Sequence, residues 1–308
     1  MRITEFGGDV ITTTVINAML ENSNVLSKAE FYKMVGNADY KRKAATASGG
    51  KFRPLNTDYD NNIVNPDFAN PVLVIFGDKV QVDRAHERRG SDIPSVRAAQ
   101  LLEFAKNLGK NFQNKFFNGD KDADVKEFNG LKKIIPAGQI LTPEADGLAV
   151  PLGNSDTNKT LQQAFLEALD ILIGSVDGGA QALSMDSDMI SRLTRIAEGQ
   201  VQWAVDEFGV PLARYNGIPL LPAGYDSAGN KIIGHAETCG TALDTTSIYA
   251  YRFGEESDLS IATNVGVEVK DLGIVGVHYT HSVDFDLDLT LLKNKSVARL
   301  KGLRIKNL

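Results

Sequence analysis

One cysteine, Cys239, in 308 residues rules out an internal disulfide framework. It fits a chain that assembles in a reducing compartment. No run of about 18 apolar residues occurs, so no membrane-spanning helix and no membrane partner are expected. The opening residues lack the basic-then-apolar order of a secretory signal, which predicts a cytosolic product. Positive charge is not in excess: the formal charge is −6, which excludes a generally basic nucleic-acid coat but leaves local basic patches. The patterns G-x-x-x-x-G-K-S/T, G-x-G-x-x-G and G-x-S-x-G are all missing, so a phosphate cradle and a serine nucleophile elbow lack support. Tryptophan occurs once, and the strand-like run around Trp203 points to the core.

What is there is ordinary in amount: 43% hydrophobic and 23% charged residues, in a chain long enough for a substantial core and two lobes. Its most informative stretch is residues 92–117. Leu101, Ala105, Leu108, Phe112 and Phe116 recur at steps of four and three, one apolar face of a helix, while Lys106, Lys110, Gln113 and Asn114 are expected on the other side. Ser91 or Asp92 can cap it, Pro94 fits its first turn, and Asn118-Gly119 stops it. A helix of that length is a girder.

Before it, residues 10–20 permit a short helix but are β-branched and helix-poor at Thr12 to Ile16. A second short amphipathic stretch covers 27–35. Together they read as an arm lying on something else, with a disordered terminus as the alternative. Lys41, Arg42, Lys43, Lys51 and Arg53 then supply five positive charges with no acid among them. The coreless connection that follows reads as a two-stranded loop projecting onto a neighbour, because Phe52, Phe68 and residues 72–76 need covering. A solvated insertion is the alternative.

After the girder, helices are expected at 157–173, capped by Thr157 or Asn158, and at 187–197, capped by Asp186 or Ser187. Strands are expected at 180–185, 200–204, 218–222, 247–253, 259–262, 265–269, 276–280 and 283–291. The order is α+β rather than repeated βαβ, with no internal repeat.

Polar constellations yield no reaction centre. His235-Ala236-Glu237 matches half of a zinc deaminase signature, but that chemistry needs two further thiolates. His278 and His281 are three apart on strand and turn, so they diverge. Asp284, Asp286 and Asp288 share one strand face, read as a solvated face or an ion-pairing one. From Leu292 onward Lys293, Lys295, Arg299, Lys301, Arg304 and Lys306 occur without an acid. That tail is either a non-specific phosphate contact or a lysine-decorated edge strand. No catalytic, cofactor-binding or metal-ligating residue is assigned, no cofactor is expected, and the chain is not expected to be an enzyme.

The order of these parts resembles the major capsid protein of tailed bacteriophages, the Hong Kong 97-type fold shared with encapsulin shells. Lys51-Phe52-Arg53-Pro54 and Val80-Gln81-Val82-Asp83 match the entry to and exit from its projecting loop. Phe117-Asn118-Gly119-Asp120 followed by Glu127-Phe128-Asn129-Gly130-Leu131 resembles the phrase after its spine helix. Ala182 to Asp186 with Met189 to Leu193, Tyr215 to Pro222, and Ser247 to Gly254 resemble the later strands and helix, so the likeness runs in order through most of residues 45–305.

The resemblance implies an N-terminal arm at 1–44, a projecting β-loop at 45–82, and a peripheral domain at 83–140 plus 244–292 with spine helix 92–117. A compact axial domain takes 141–243 plus 293–308. It further implies a structural subunit that self-assembles into pentamers and hexamers of an icosahedral phage head around double-stranded DNA, contacted non-specifically. Too little chain precedes the loop for the assembly domain of many relatives, so a separate scaffolding protein is expected, with a portal, in a virion assembled in the host bacterial cytoplasm. Two alternatives stand: an encapsulin-type compartment with an inner peptide-binding groove that the sequence does not locate, and a soluble α+β enzyme of unknown chemistry.

Overall fold

A computed structural model describes residues 1–43, 50, 52–59, 67–90, 92–205, 209 and 211–305. Lys51, Ser91 and Lys306, singled out above, lie outside the described residues.

The girder forms as expected. Helix α3 (Ile93–Asn118) follows helix α1 (Val10–Glu21) and the short α2 (Ala85–Arg88). Its 26 residues span about 39 Å. Asp92 stands at its N-cap without a side-chain cap bond, and Gly119 ends it. Later come the short α4 (Leu131–Ile134), then α5 (Asp156–Ser175) and α6 (Ser187–Ile196). Ser155 rather than Thr157 caps α5, its hydroxyl accepting from the Asn158 N–H, and Asp186 caps α6.

The strands run β1 (Phe31–Lys33), β2 (Lys41–Arg42), β3 (Phe68–Ala69), β4 (Val74–Asp83), β5 (Ile140–Leu141), β6 (Leu148–Ala149), β7 (Ala182–Met185) and β8 (Val201–Val205). After them come β9 (Pro211–Tyr215), β10 (Ile218–Pro222), β11 (Glu237–Cys239), β12 (Ala242–Tyr251), β13 (Leu259–Thr263), β14 (Val267–Val275), β15 (His278–Leu291) and β16 (Val297–Arg304). One sheet joins β1, β13, β15, β14 and β4 around the long β15. The other runs β5-β16-β12-β7-β10-β9-β8, with β6 also on β16 and β11 on β12. The pair β2–β3 stands apart from both.

Sheet two is covered on both faces, and β12 shows how. Alternate residues of a strand point to opposite faces. Ile248 and Ala250 join a core with Phe165, Leu169 and Leu172 of α5 and Met189 and Leu193 of α6. Tyr249 and Tyr251 join the other core, with Phe116 and Phe117 of α3 and Phe285 of sheet one. The expected grouping put 244–251 with the peripheral strands. By pairing, β12 lies between β7 and β16, because both of its faces meet apolar cover there.

Three further expectations change. Residues 10–20 do form a helix despite their β-branched run, because Val15, Ile16, Met19 and Leu20 bury against α3 and Asp9 caps the first turn. Residues 27–35 contribute β1, which pairs parallel to β13. The opening segment, expected as an arm lying on something else, lies on its own chain. The tail is no edge strand: β16 pairs with β12, β5 and β6, and Ala298, Leu300 and Leu303 are buried toward α5. Trp203 lies on β8, the terminal strand of its sheet, and is 67% exposed.

The contact of α1 with α3 depends on Gly109. A Cβ at that position would stand 2.6 Å from the Met19 carbonyl oxygen, nearer than packed atoms tolerate. Helix propensity alone says that Gly109→Ala stabilises by about 1 kcal/mol. Close approach says the reverse, and we expect a net loss of about 1–3 kcal/mol. A urea midpoint that falls supports the packing argument, and one that rises refutes it.

Candidate functional site

The polar residues singled out in the sequence take separate structural posts. His235 Nε2 lies 2.7 Å from Asp186 Oδ2, while Glu237 turns to Arg299, whose Nη2 donates to both carboxylate oxygens at 2.8 Å. The Ser247 hydroxyl also donates to Glu237, and Lys132 stands 3.5 Å away. Arg299 is buried, with its guanidinium over the Tyr249 ring. This is a satisfied charge pair between β11 and β16.

Asp186, Asp188 and His235 bring their ligand atoms within 4.8 Å of one another. Lys231 already supplies the cation, its Nζ donating to Asp186 at 2.8 Å and to Asp188 at 2.7 Å. Burial opposes ionisation of Asp186, but Lys231 and His235 outweigh it and hold the carboxyl below its ordinary value. His281 is buried near Arg97 (3.2 Å) and Asp271 (3.8 Å). Burial, then Arg97, pushes its pKa down, and Asp271 pulls the other way. His278 is half-buried at the start of β15 and shares no group of three ligands with His281 among the described residues.

Asp284, Asp286 and Asp288 do share one half-buried face of β15. They hold backbone and hydroxyl groups: Ser282 donates to Asp284 at 2.6 Å, and the Val72 N–H donates to Asp288 at 2.9 Å. Part of each basic stretch is paired inside the chain as well. Lys41 meets Glu256 at 2.7 Å, Lys43 meets Asp67 at 3.2 Å, Lys293 meets Asp177 at 2.6 Å, and Arg304 meets Asp244 at 3.0 Å.

Two surfaces among the described residues stand out. The first is the projecting segment. Its base is the β2–β3 ladder, with Leu73 N–H donating to Asn37 and Asp39 N–H to Pro71. Its tip, residues 52–59, carries Phe52, Leu55 and Tyr59 exposed. Arg53 gives the tip a fixed shape by lying over the Tyr59 ring and donating to the Thr57 carbonyl at 3.0 Å. Exposed apolar side chains held together in this way suit a contact surface.

The second is a groove of about 340 Å³ between α1 and the first half of α3. Val10, Ile11, Val15, Ala98, Leu101 and Leu102 line it, with Arg97, Asp271 and His281 also on its wall. No periodicity in α3 points to it, since the groove exists only because α1 folds back.

Neither a family model nor a curated protein sequence matches this chain. Solved structures do. The chain is similar to the holo-SrpI encapsulin complex from Synechococcus elongatus, with a TM-score of 0.64 at 14% identity over 91% of this chain and 87% of that one. Against the capsid of the native GTA particle the TM-score is 0.60 at 13% identity, over 93% and 90%. Against the satellite phage P4 procapsid it is 0.51 at 11%, over 96% and 100%. The fold is a capsid-type fold. The sequence located the long helix. It missed the groove.

Two variants test the polar posts. Glu237→Gln leaves Arg299 buried with a neutral partner and is expected to lose about 3 kcal/mol in urea unfolding; a loss below about 0.5 kcal/mol contradicts that role. A depressed carboxyl gives stability that is complete above its ordinary pKa and is lost as pH falls through the folded value. Lys231→Met raises the Asp186 pKa, so acid unfolding should begin at higher pH than in the parent chain. An unshifted acid transition contradicts this.

Proposed function

We propose that the chain is the structural subunit of an icosahedral shell, a major capsid protein of the phage type. The observation that carries this is the fold itself, similar over nine-tenths of the chain to subunits of assembled capsids, together with a projecting apolar tip that one copy leaves uncovered. Rings of five and six copies form around sheet two with α5 and α6, the axial unit. Sheet one with α1 and α3 forms the peripheral unit that joins rings, and the 38–72 segment reaches a neighbour. Many weak contacts repeated over a closed symmetric surface give a stable shell. The shell encloses double-stranded DNA, gripped weakly because the basic stretches are largely spent on internal acids, and it is assembled with a scaffolding protein and a portal in the host cytoplasm.

A second reading, a compartment enclosing protein cargo, is favoured by one feature: the groove between α1 and α3, of a size and apolar character that suit a short peptide.

The purified chain, alone and with its scaffold, is expected to give free rings or closed particles by electron microscopy and light scattering. Large particles that protect double-stranded DNA from nuclease support the head. Small uniform cages that retain a peptide-tagged protein, and lose it in Leu102→Asp, support the compartment. A monomer or dimer unchanged by concentration or scaffold refutes both.

A further inference from the structure

The projecting segment leaves and re-enters the fold at one place, and a carboxylate without a cation sits there. Asp288 on β15 is half-buried and forms no ion pair among the described residues. Its Oδ2 accepts from the Val72 N–H at 2.9 Å, and its Oδ1 accepts from the Leu289 N–H at 2.9 Å. Val72 is the last rung of the base, bridged to Ala38, and Leu73 beside it is buried with Tyr32, Met34 and Ala262. Asp288 therefore ties the base of the segment to the long strand of sheet one.

The charged groups facing it are few and committed elsewhere. From β1 comes Tyr32, whose hydroxyl lies 3.4 Å from Thr290. Lys41 at the base is held by Glu256 and Asp39, and Lys43 by Asp67. Beyond α3, Lys133 is held by Asp120 and Asp122, while Lys121 acts on Asp288 only weakly. On its own strand Asp284 and Asp286 share its face, and β13 has no charged residue. Asp288 opens onto a cleft of about 500 Å³ that also exposes Lys43 and Lys133, so solvent protons reach it.

We propose that Asp288 makes the base of the projecting segment a proton-tightened hinge, closed more firmly in mild acid than at neutral pH. Opening the base hydrates the carboxylate and removes the penalty for its charge. Closing it favours the neutral acid. That acid keeps the Val72 bond through Oδ2 as its carbonyl oxygen and carries the proton on Oδ1, at the expense of the local bond from Leu289. Burial is the dominant influence and raises the closed-state pKa to about 6 against an ordinary 3.8. A group raised on closing binds its proton more tightly in the closed form, so closure weakens as pH rises from about 4 through about 6. The hinge belongs to the single chain and does not rest on the shell reading.

Hydrogen–deuterium exchange of the full chain at pH 5.0 and 7.5, corrected for intrinsic rates, reads it at the amides of Asp39, Val72 and Leu73. Protection should drop on the order of tenfold between the two conditions, while amides of α5 stay level. Asp288→Asn, isosteric and still an acceptor, should show the same protection at both. The hinge is overturned by wild-type protection that is flat or rises with pH, or by an Asn variant that keeps the tenfold change. Particle mass by light scattering, recorded on the same samples, reports the shell reading separately.

Discussion

Everything in this chain hangs on the aromatic seam along the second half of α3. Phe112 meets Phe285 of sheet one at 6.4 Å and Phe76 of β4 at 6.5 Å. One turn on, Phe116 meets Tyr251 at 5.7 Å and Phe117 meets Tyr249 at 5.3 Å, both from sheet two, and Phe116 meets Phe253, just past β12, at 6.0 Å. Such pairs add about 0.5–1.5 kcal/mol each beyond the area they bury. One helix is thereby the common wall of two sheets, and the angle between them is fixed by rings that cannot slide without leaving voids. The proposed shell subunit, which would repeat one shape many times, needs that rigidity in its core.

Against this rigid seam, the ends of the structure are built differently. The first half of α3 is covered only in part, by α1, whose fit depends on the bare backbone of Gly109. The loop from Pro222 to Ile233 is strapped to the second half, where Gln113 donates to the Ala223 carbonyl at 2.6 Å and Asn118 to that of Ile232 at 2.8 Å. Its far side is pinned to α6 through Lys231 and His235. The segment at 38–72 is fastened by a short ladder, the Lys41–Glu256 pair and Asp288. Firm core, lightly tied periphery: that gradient suits a part whose edges must adapt to neighbours while its body does not.

Local signals in the sequence carried the long helix, α5, α6 and strands β7, β8, β10, β12, β13, β14 and β15, because each repeats at its own period and ends at a glycine or a polar cap. Pairing partners were not legible. Nothing near Ala298 or Leu300 says that β16 enters the middle of a sheet, and its lysines pointed to an edge. Trp203 looked internal because alternation does not tell an end strand from a central one. The β-branched run from Thr12 to Ile16 hid a helix whose stability comes from α3, some ninety residues away. The basic runs pointed outward for the same reason: Glu256, Asp177 and Asp244, which neutralise them, are distant in sequence. The groove, formed between two such distant elements, had no local signature at all.

The most direct test of the shell account is a near-atomic reconstruction of the assembled particle. The account predicts residues 1–34 folded onto their own chain, α1 on α3 and β1 on β13, and Phe52, Leu55 and Tyr59 buried against another copy. A particle whose tips stand free in solvent while copies meet elsewhere would contradict it.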